Sequence, residues 1–191
     1  MKPTLVVFAR APRLGRVKRR LAAEIGAVAA LAFYRRTLTR LLARVAGDRR
    51  WRLALALTPD SGTLHGARPW RRWKQGRGDL GVRMARAMLR APGAVVLVGA
   101  DIPALAPRHI AHACARLRSA DAVFGPAEDG GFYLVAVRRP GLARRIFADV
   151  RWSSRDALSD TLRNLAGRRV ALVERLSDVD TAADLARAAR R

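Results

Sequence analysis

Short apolar runs separated by longer segments of helical period recur along this chain, and that alternation limits its fold more than any other feature. Residues 5–9, 53–57, 94–98, 122–124, 132–137 and 170–173 are runs of Val, Leu, Ala and Phe with one Tyr, and they read as buried strands. Between them lie segments of different period. Over 17–45, residues such as Leu31, Tyr34, Leu38, Leu41, Leu42 and Val45 recur every three or four positions, and Gly26 is expected to split the stretch into two helices. Further helices are expected over 80–89, 107–117, 154–166 and 181–189, the second of them started by Pro107. The Arg- and Trp-rich stretch 66–78 has no clear period and is assigned no element. Strands alternating with helices predict a mostly parallel sheet covered on both faces, with ligands bound beyond the carboxyl ends of its strands. Arg10, Asp101 and Asp129 each fall where a strand ends, which places them at one rim.

The 191 residues suit one domain spanning 1–191, and a composition half hydrophobic and 28% charged is that of a globular chain. One cysteine, Cys114, excludes an internal disulfide framework and suits a reducing compartment. No apolar run is long enough for a bilayer, and the stretch that starts at Leu5 is too short for a signal peptide and soon meets Arg10. A cytoplasmic protein is expected. The net charge of +23 draws polyanions. Lys2, Lys18 and Lys74 are the only lysines beside 35 arginines, which occur in nearly every segment instead of on one element. That spread does not point to nucleic acid as the main partner, although a non-catalytic polyanion or nucleic-acid binder stands as an alternative class.

Four segments carry chemistry. The first runs from Arg10-Ala11-Pro12 to Lys18-Arg19-Arg20-Leu21, where a strand passes through a small-residue loop into a cationic helix start. Lys18 and Arg20 beside free N–H groups suit a phosphate chain, while a solvated basic turn is the plainer reading. It lacks the Lys-Ser/Thr ending of a P-loop. The second is Gly99-Ala100-Asp101-Ile102-Pro103. A carboxylate held at the end of an apolar strand can take a hard cation such as Mg²⁺, or can simply cap the next helix. The third is Asp178-Val179-Asp180-Thr181 with Asp184, in which one aspartate can enter the site. The same residues also read as a helix cap with an acidic first turn, and the two roles can be divided between Asp178 and Asp180. The fourth, Glu128-Asp129-Gly130-Gly131, allows close backbone approach and a base at Asp129, or forms an ordinary Asp-Gly turn. A literal Gly76-x-Gly78-x-x-Gly81 precedes Asp101, but residues 71–75 are too charged for the buried first strand of a dinucleotide fold. His109, His112 and Cys114 are too few and too poorly spaced for structural zinc.

Taken together, these blocks resemble a bacterial family of GT-A-like transferases (DUF2064 type, associated with radical-SAM and selenodomain proteins). That family is similar to 2-phospholactate guanylyltransferase and to the molybdenum-cofactor nucleotidyltransferases. The resemblance covers nearly all of the chain. It also rests on residues 75–84, 125–134, Trp152-Ser153-Ser154 and 178–181, in that order. It implies a three-layer α/β/α GT-A fold with a mostly parallel mixed sheet, and a transferase that uses a nucleotide or nucleotide-sugar donor and a small-molecule acceptor. Glycosyl transfer is the expected reaction, with nucleotidyl transfer from an NTP as the alternative. By this resemblance Arg10, Lys18 and Arg20 hold the nucleotide phosphates, and Gln75, Gly76, Asp79, Leu80 and Arg83 border the nucleotide. Asp101 and Asp180 bind Mg²⁺ or Mn²⁺. Asp129, Gly130, Gly131, Trp152 and Ser153 border the acceptor, with Asp101, Asp129 and Lys18 as the catalytic set. Arg19 stands where the family usually has threonine, which removes a hydroxyl and adds a charge.

Overall fold

The computed structural model describes residues 1–64 and 71–189. In chain order its elements are β1 (Thr4–Arg10), α1 (Arg19–Ile25), α2 (Ala27–Ala46), β2 (Arg52–Thr58), β3 (Arg71–Lys74), α3 (Leu80–Leu89), β4 (Val95–Gly99), α4 (Pro107–Arg116), β5 (Ala122–Pro126), β6 (Phe132–Val137), α5 (Ala143–Ile146), α6 (Ala157–Arg163), β7 (Val170–Leu172) and α7 (Ala182–Ala189). The seven strands form one sheet in the order β3-β2-β1-β4-β6-β5-β7. All neighbours pair in parallel except β6, which runs antiparallel to both β4 and β5.

Alternation along the strands builds two cores. From β1, Leu5, Val7 and Ala9 face a layer made by α2 and α4, with Tyr34, Leu38, Leu42 and Ile110 buried against them. Val6 faces the other way, onto Met84, Met88 and Ile146 of α3 and α5. Helices therefore cover both faces of a mostly parallel mixed sheet, the expected three-layer α/β/α arrangement. Burying a side chain such as Leu38 or Leu42, both fully enclosed, contributes about 1.5–3 kcal/mol each. The interruption after α1 falls at Gly26, whose φ of 85° lies in the left-handed region that favours glycine.

Two features depart from the sequence reading. Part of the unassigned stretch 66–78 lies outside the described residues, but Arg71–Lys74 forms β3, a parallel strand at the sheet edge. Its charges are tolerated because an edge strand is half solvated, so the sequence is right that this segment is not a buried first strand. The second is α5, a single turn that presents only Ala143 and Ile146 to the core, too short to show a period. Among the described residues, no helix is long and apolar enough to cross a membrane.

Candidate active site

Strands β1, β2 and β4 end at one rim, and the antiparallel β6 begins there. They open onto a cavity of about 490 Å³ lined by residues that include Arg10, Lys18, Arg83, Asp101, Tyr133 and Asp180. This volume lies within the range of small-ligand sites, ~300–1,000 Å³.

Asp101 reaches the rim because β4 is buried from Val95 to Val98 and the chain after it is pinned by buried Ala100, Ile102 and Leu105. Lys18 is delivered from the other side. Buried Val17 and Leu21 fix the loop and α1, while Lys18 itself has φ 46° and ψ 51°, a left-handed conformation that is unusual for a residue with a side chain. The result is a direct contact. Lys18 Nζ donates to Asp101 Oδ2 at 3.0 Å and to Asp180 Oδ1 at 2.9 Å. The lysine side chain is 4% exposed, whereas those of Asp101 and Asp180 are 44% and 33% exposed toward the opening. Burial by itself lowers the pKa of this ammonium, but the charges of Asp101 and Asp180 and their hydrogen bonds outweigh it, so the net direction is up. Arg20, largely exposed, approaches Asp180 Oδ2 at 3.5 Å.

Asp180 is free to do this because its neighbours cap α7. Asp184 Oδ2 accepts from the backbone N–H groups of Asp180 and Thr181, and Thr181 Oγ1 accepts from Asp184 N–H. The competing capping reading is thus satisfied by Thr181 and Asp184, not by a division between Asp178 and Asp180. Asp178, the other aspartate weighed for the site, is half-buried and does not line the cavity. Burial pushes its carboxyl up to about 6, helped by the charge of Asp180 and by those of Asp129 and Asp101, against the pull of Lys18. Of the alternating Asp-x-Asp pair only Asp180 lines the cavity and bonds Lys18, although the charge of Lys18 acts on both.

The nucleotide side of the prediction divides. Leu80, Arg83 and Gln75 line the cavity. The Gln75 side chain, however, is fully buried and spent internally. Its amide donates to the carbonyls of Ala9 and Ala56, and its Oε1 accepts from Arg83. Gly76 and Asp79 stand off the cavity lining. Gly76 N–H donates to Asp60, and the Asp79 carboxylate caps α3 by accepting from Val82 N–H at 2.8 Å. Burial, then the like charge of Arg10, lower the pKa of Arg83. Tyr34, which the sequence showed only as a helix-face residue, also lines the cavity, and its hydroxyl bridges the backbone N–H and carbonyl of Arg10. Burial raises this phenol's pKa. Arg16, Arg19, Thr58 and Tyr133 complete the polar lining that the sequence did not assign.

The residues expected at the acceptor do not line this cavity. Asp129 is exposed and accepts from Gly131 N–H at 2.9 Å, an ordinary turn contact. Gly130 has φ 86°, and a Cβ there would collide with the backbone of Arg155, so glycine is required for packing alone. Trp152 is half-buried and packs on Phe147 and on the cavity residue Phe132. Ser153 follows it with a φ of 61°. His109 is a buried cap. Its Nδ1 accepts from Ala106 N–H, and its Nε2 lies 3.1 Å from Glu174, whereas His112 is exposed.

For a divalent cation, the donor set is two hard carboxylates that already share one cationic group, the Lys18 ammonium, which acts as a stand-in for a metal ion. Asp101 and Asp180 therefore fit such an ion as a pair of ligands that leaves further positions to water or phosphate. Among the described residues, no cluster of three or more His, Cys, Asp or Glu side chains is arranged around a common metal position.

Comparison with known proteins agrees with the fold. The profile of a family described as "Uncharacterized protein conserved in bacteria (DUF2064)" matches residues 41–154. No curated protein matches in sequence. A solved structure described as a candidate nucleotide-diphospho-sugar transferase from Desulfovibrio desulfuricans G20 superposes with a TM-score of 0.87 at 29% identity, over 97% of this chain and 85% of that one. The 4-diphosphocytidyl-2C-methyl-D-erythritol synthase of Anaerococcus prevotii DSM 20548 gives a TM-score of 0.61 at 12% identity, over 100% and 97%. Rv0371c of Mycobacterium tuberculosis H37Rv, in complex with manganese, gives 0.54 at 17%, over the whole of both chains. The last two show the fold alone. The structural neighbours thus include a candidate nucleotide-diphospho-sugar transferase and cytidylyl-transferring enzymes.

Proposed function

The chain belongs to the DUF2064 family, and from that premise we propose that it is a metal-dependent transferase acting on a nucleotide-activated donor, by glycosyl transfer from a nucleotide sugar. The observation that carries this reading is the Lys18–Asp101–Asp180 contact at the mouth of an arginine-lined cavity on the carboxyl rim of the sheet. An apolar floor with converging cations and two open carboxylates suits a ligand that has an apolar base at one end and a metal-bound diphosphate at the other. Asp101 and Asp180 would hold Mg²⁺ or Mn²⁺, which when bound offsets charge on the leaving phosphate.

The chain's own residues do the rest. Arg10, whose backbone Tyr34 fixes, stands with Lys18 and Arg20 to bind phosphate oxygens, and charge developing on the leaving group strengthens those contacts. Gln75 positions Arg83 instead of touching the donor, because its own hydrogen bonds are already made. Leu80, Phe8 and Met84 supply apolar wall for the base. On the acceptor side, Trp152 packs on the cavity residue Phe132, and Asp129 is exposed and able to take a proton from an acceptor hydroxyl.

A second reading within the same class is nucleotidyl transfer from an NTP to a phosphorylated acceptor. It is favoured by the count of cations on the cavity wall: Arg10, Arg16, Lys18, Arg19, Arg20 and Arg83 exceed what a diphosphate requires. A thermal-shift panel of nucleotides and nucleotide sugars, with and without Mn²⁺, tests both. Stabilisation that needs both metal and one nucleotide class supports the proposal, and product analysis then separates release of nucleoside diphosphate from release of pyrophosphate. A panel with no metal-dependent shift removes it.

A further inference from the structure

We propose that Lys18 is a built-in occupant of the divalent-cation seat, so that a metal ion enters only by displacing its ammonium, which then becomes available to a donor phosphate. This rests on the functional reading above and adds an exchange step to it. Lys18 Nζ lies within 3.0 Å of one oxygen from each of the two carboxylates that would hold the ion. The seat is not a loose surface pairing, since the lysine side chain is 4% exposed and is held by a left-handed backbone at the end of a loop anchored by Val17. A buried ammonium keeps such contacts because it would be a costly unpaired charge without them.

Charge decides the exchange. Two carboxylates and one ammonium leave a net charge of −1, and replacing the ammonium by a divalent cation leaves the site neutral. Keeping both cations would place like charges within hydrogen-bonding reach of each other, in a site already faced by Arg20 at 3.5 Å from Asp180. The displaced lysine must find another anion, and the remaining charged groups nearest it on the cavity wall (Arg10, Arg16, Arg19, Arg20) are all cations. Asp178 also lies near Lys18 but is half-buried and does not line the cavity, so within the described lining a ligand's phosphate is the partner at hand. Metal and polyphosphate therefore bind together more tightly than either alone, and free metal ion binds weakly.

The chain provides a clean way to observe this, because it has three lysines, Lys2, Lys18 and Lys74, of which Lys2 and Lys74 are exposed and serve as internal references. Reductive methylation of the wild-type chain, read by peptide mass spectrometry, should find Lys18 protected without metal and labelled under saturating Mn²⁺, with Lys2 and Lys74 unchanged. In parallel, titration with Mn²⁺ alone should show Lys18→Met binding the ion about ten-fold tighter than wild type or more, while Lys18→Arg, which keeps the charge, stays weak. Equal Mn²⁺ affinity in wild type and Lys18→Met, or a Lys18 still protected when Mn²⁺ is bound, overturns the exchange and leaves the metal-dependent reading in place. Failure of wild type and Lys18→Met alike to bind Mn²⁺ overturns both. Because the labelling arm uses the unaltered chain, a variant that does not fold still leaves a decisive result.

Discussion

Asp160 and Asp101 are both aspartates held by basic side chains, yet their surroundings are opposite. Asp160 is the buried partner, 4% exposed. Arg151 grips both of its oxygens at 2.9 Å and adds its backbone N–H, while Arg163 contributes a further bond at 3.1 Å. The arginines that hold it lie largely in solvent. At the rim the roles reverse: Lys18 is the buried cation, and Asp101 and Asp180 keep part of each carboxylate turned to an open cavity. A carboxylate whose lone pairs are filled from within the chain joins segments together. One that shares a single ammonium and faces a cavity has capacity left for a ligand. The pKa directions follow. Hydrogen bonds from Arg151 hold Asp160 well below the usual carboxylate range, whereas burial among other carboxylates pushes Asp178 up to about 6.

Substitutions at the two clusters should fail in different ways. The largest effect is expected from Asp101→Ala, which should weaken metal-stimulated nucleotide binding on the order of 100-fold in a calorimetric titration while leaving the melting temperature close to wild type. Unchanged binding would remove the rim cluster from the site. Asp160→Asn should do the reverse: nucleotide binding is kept while the melting temperature falls by roughly 5–10 °C, because Arg151 and Arg163 lose their common anchor. A variant as stable as wild type would show that these bonds are surface decoration. The smallest effect is a difference in pH response. Asp178 has its folded pKa raised, so it favours the folded state at low pH, and that contribution is lost as pH rises from about 4 through about 6. Asp160, with its pKa depressed, contributes stability above the ordinary carboxylate pKa that is lost as pH falls below it. Chemical denaturation across pH 4–7 should therefore show a downward slope that Asp178→Asn flattens. A slope that survives this change must belong to another group.

Much of this molecule can be read without coordinates, for a local reason. A buried strand and an amphipathic helix write their period into neighbouring residues, so β1, β2, β4 and β6 and the break at Gly26 are visible directly. So is the placement of Arg10 and Asp101 at one rim, which follows from parallel pairing. The edge strand Arg71–Lys74 and the one-turn α5 were not visible, because partial burial and short length leave no period to detect.

What the tertiary structure alone decided is which polar groups meet and which are already spent. Lys18 lies 83 residues from Asp101 and 162 from Asp180, and no spacing rule spans such distances; laying β4 beside β1 brings Asp101 to it, and the packing of Val179 in one cluster with Leu21 brings Asp180. The same assembly used up Gln75 and Asp79, two residues whose types suited a ligand, in bonds to backbone groups that would otherwise be left without partners. Sequence determines which residues have the chemistry to bind. Packing decides whether that capacity is spent inside the fold or left facing the cavity, because a hydrogen bond made internally is not available to a ligand.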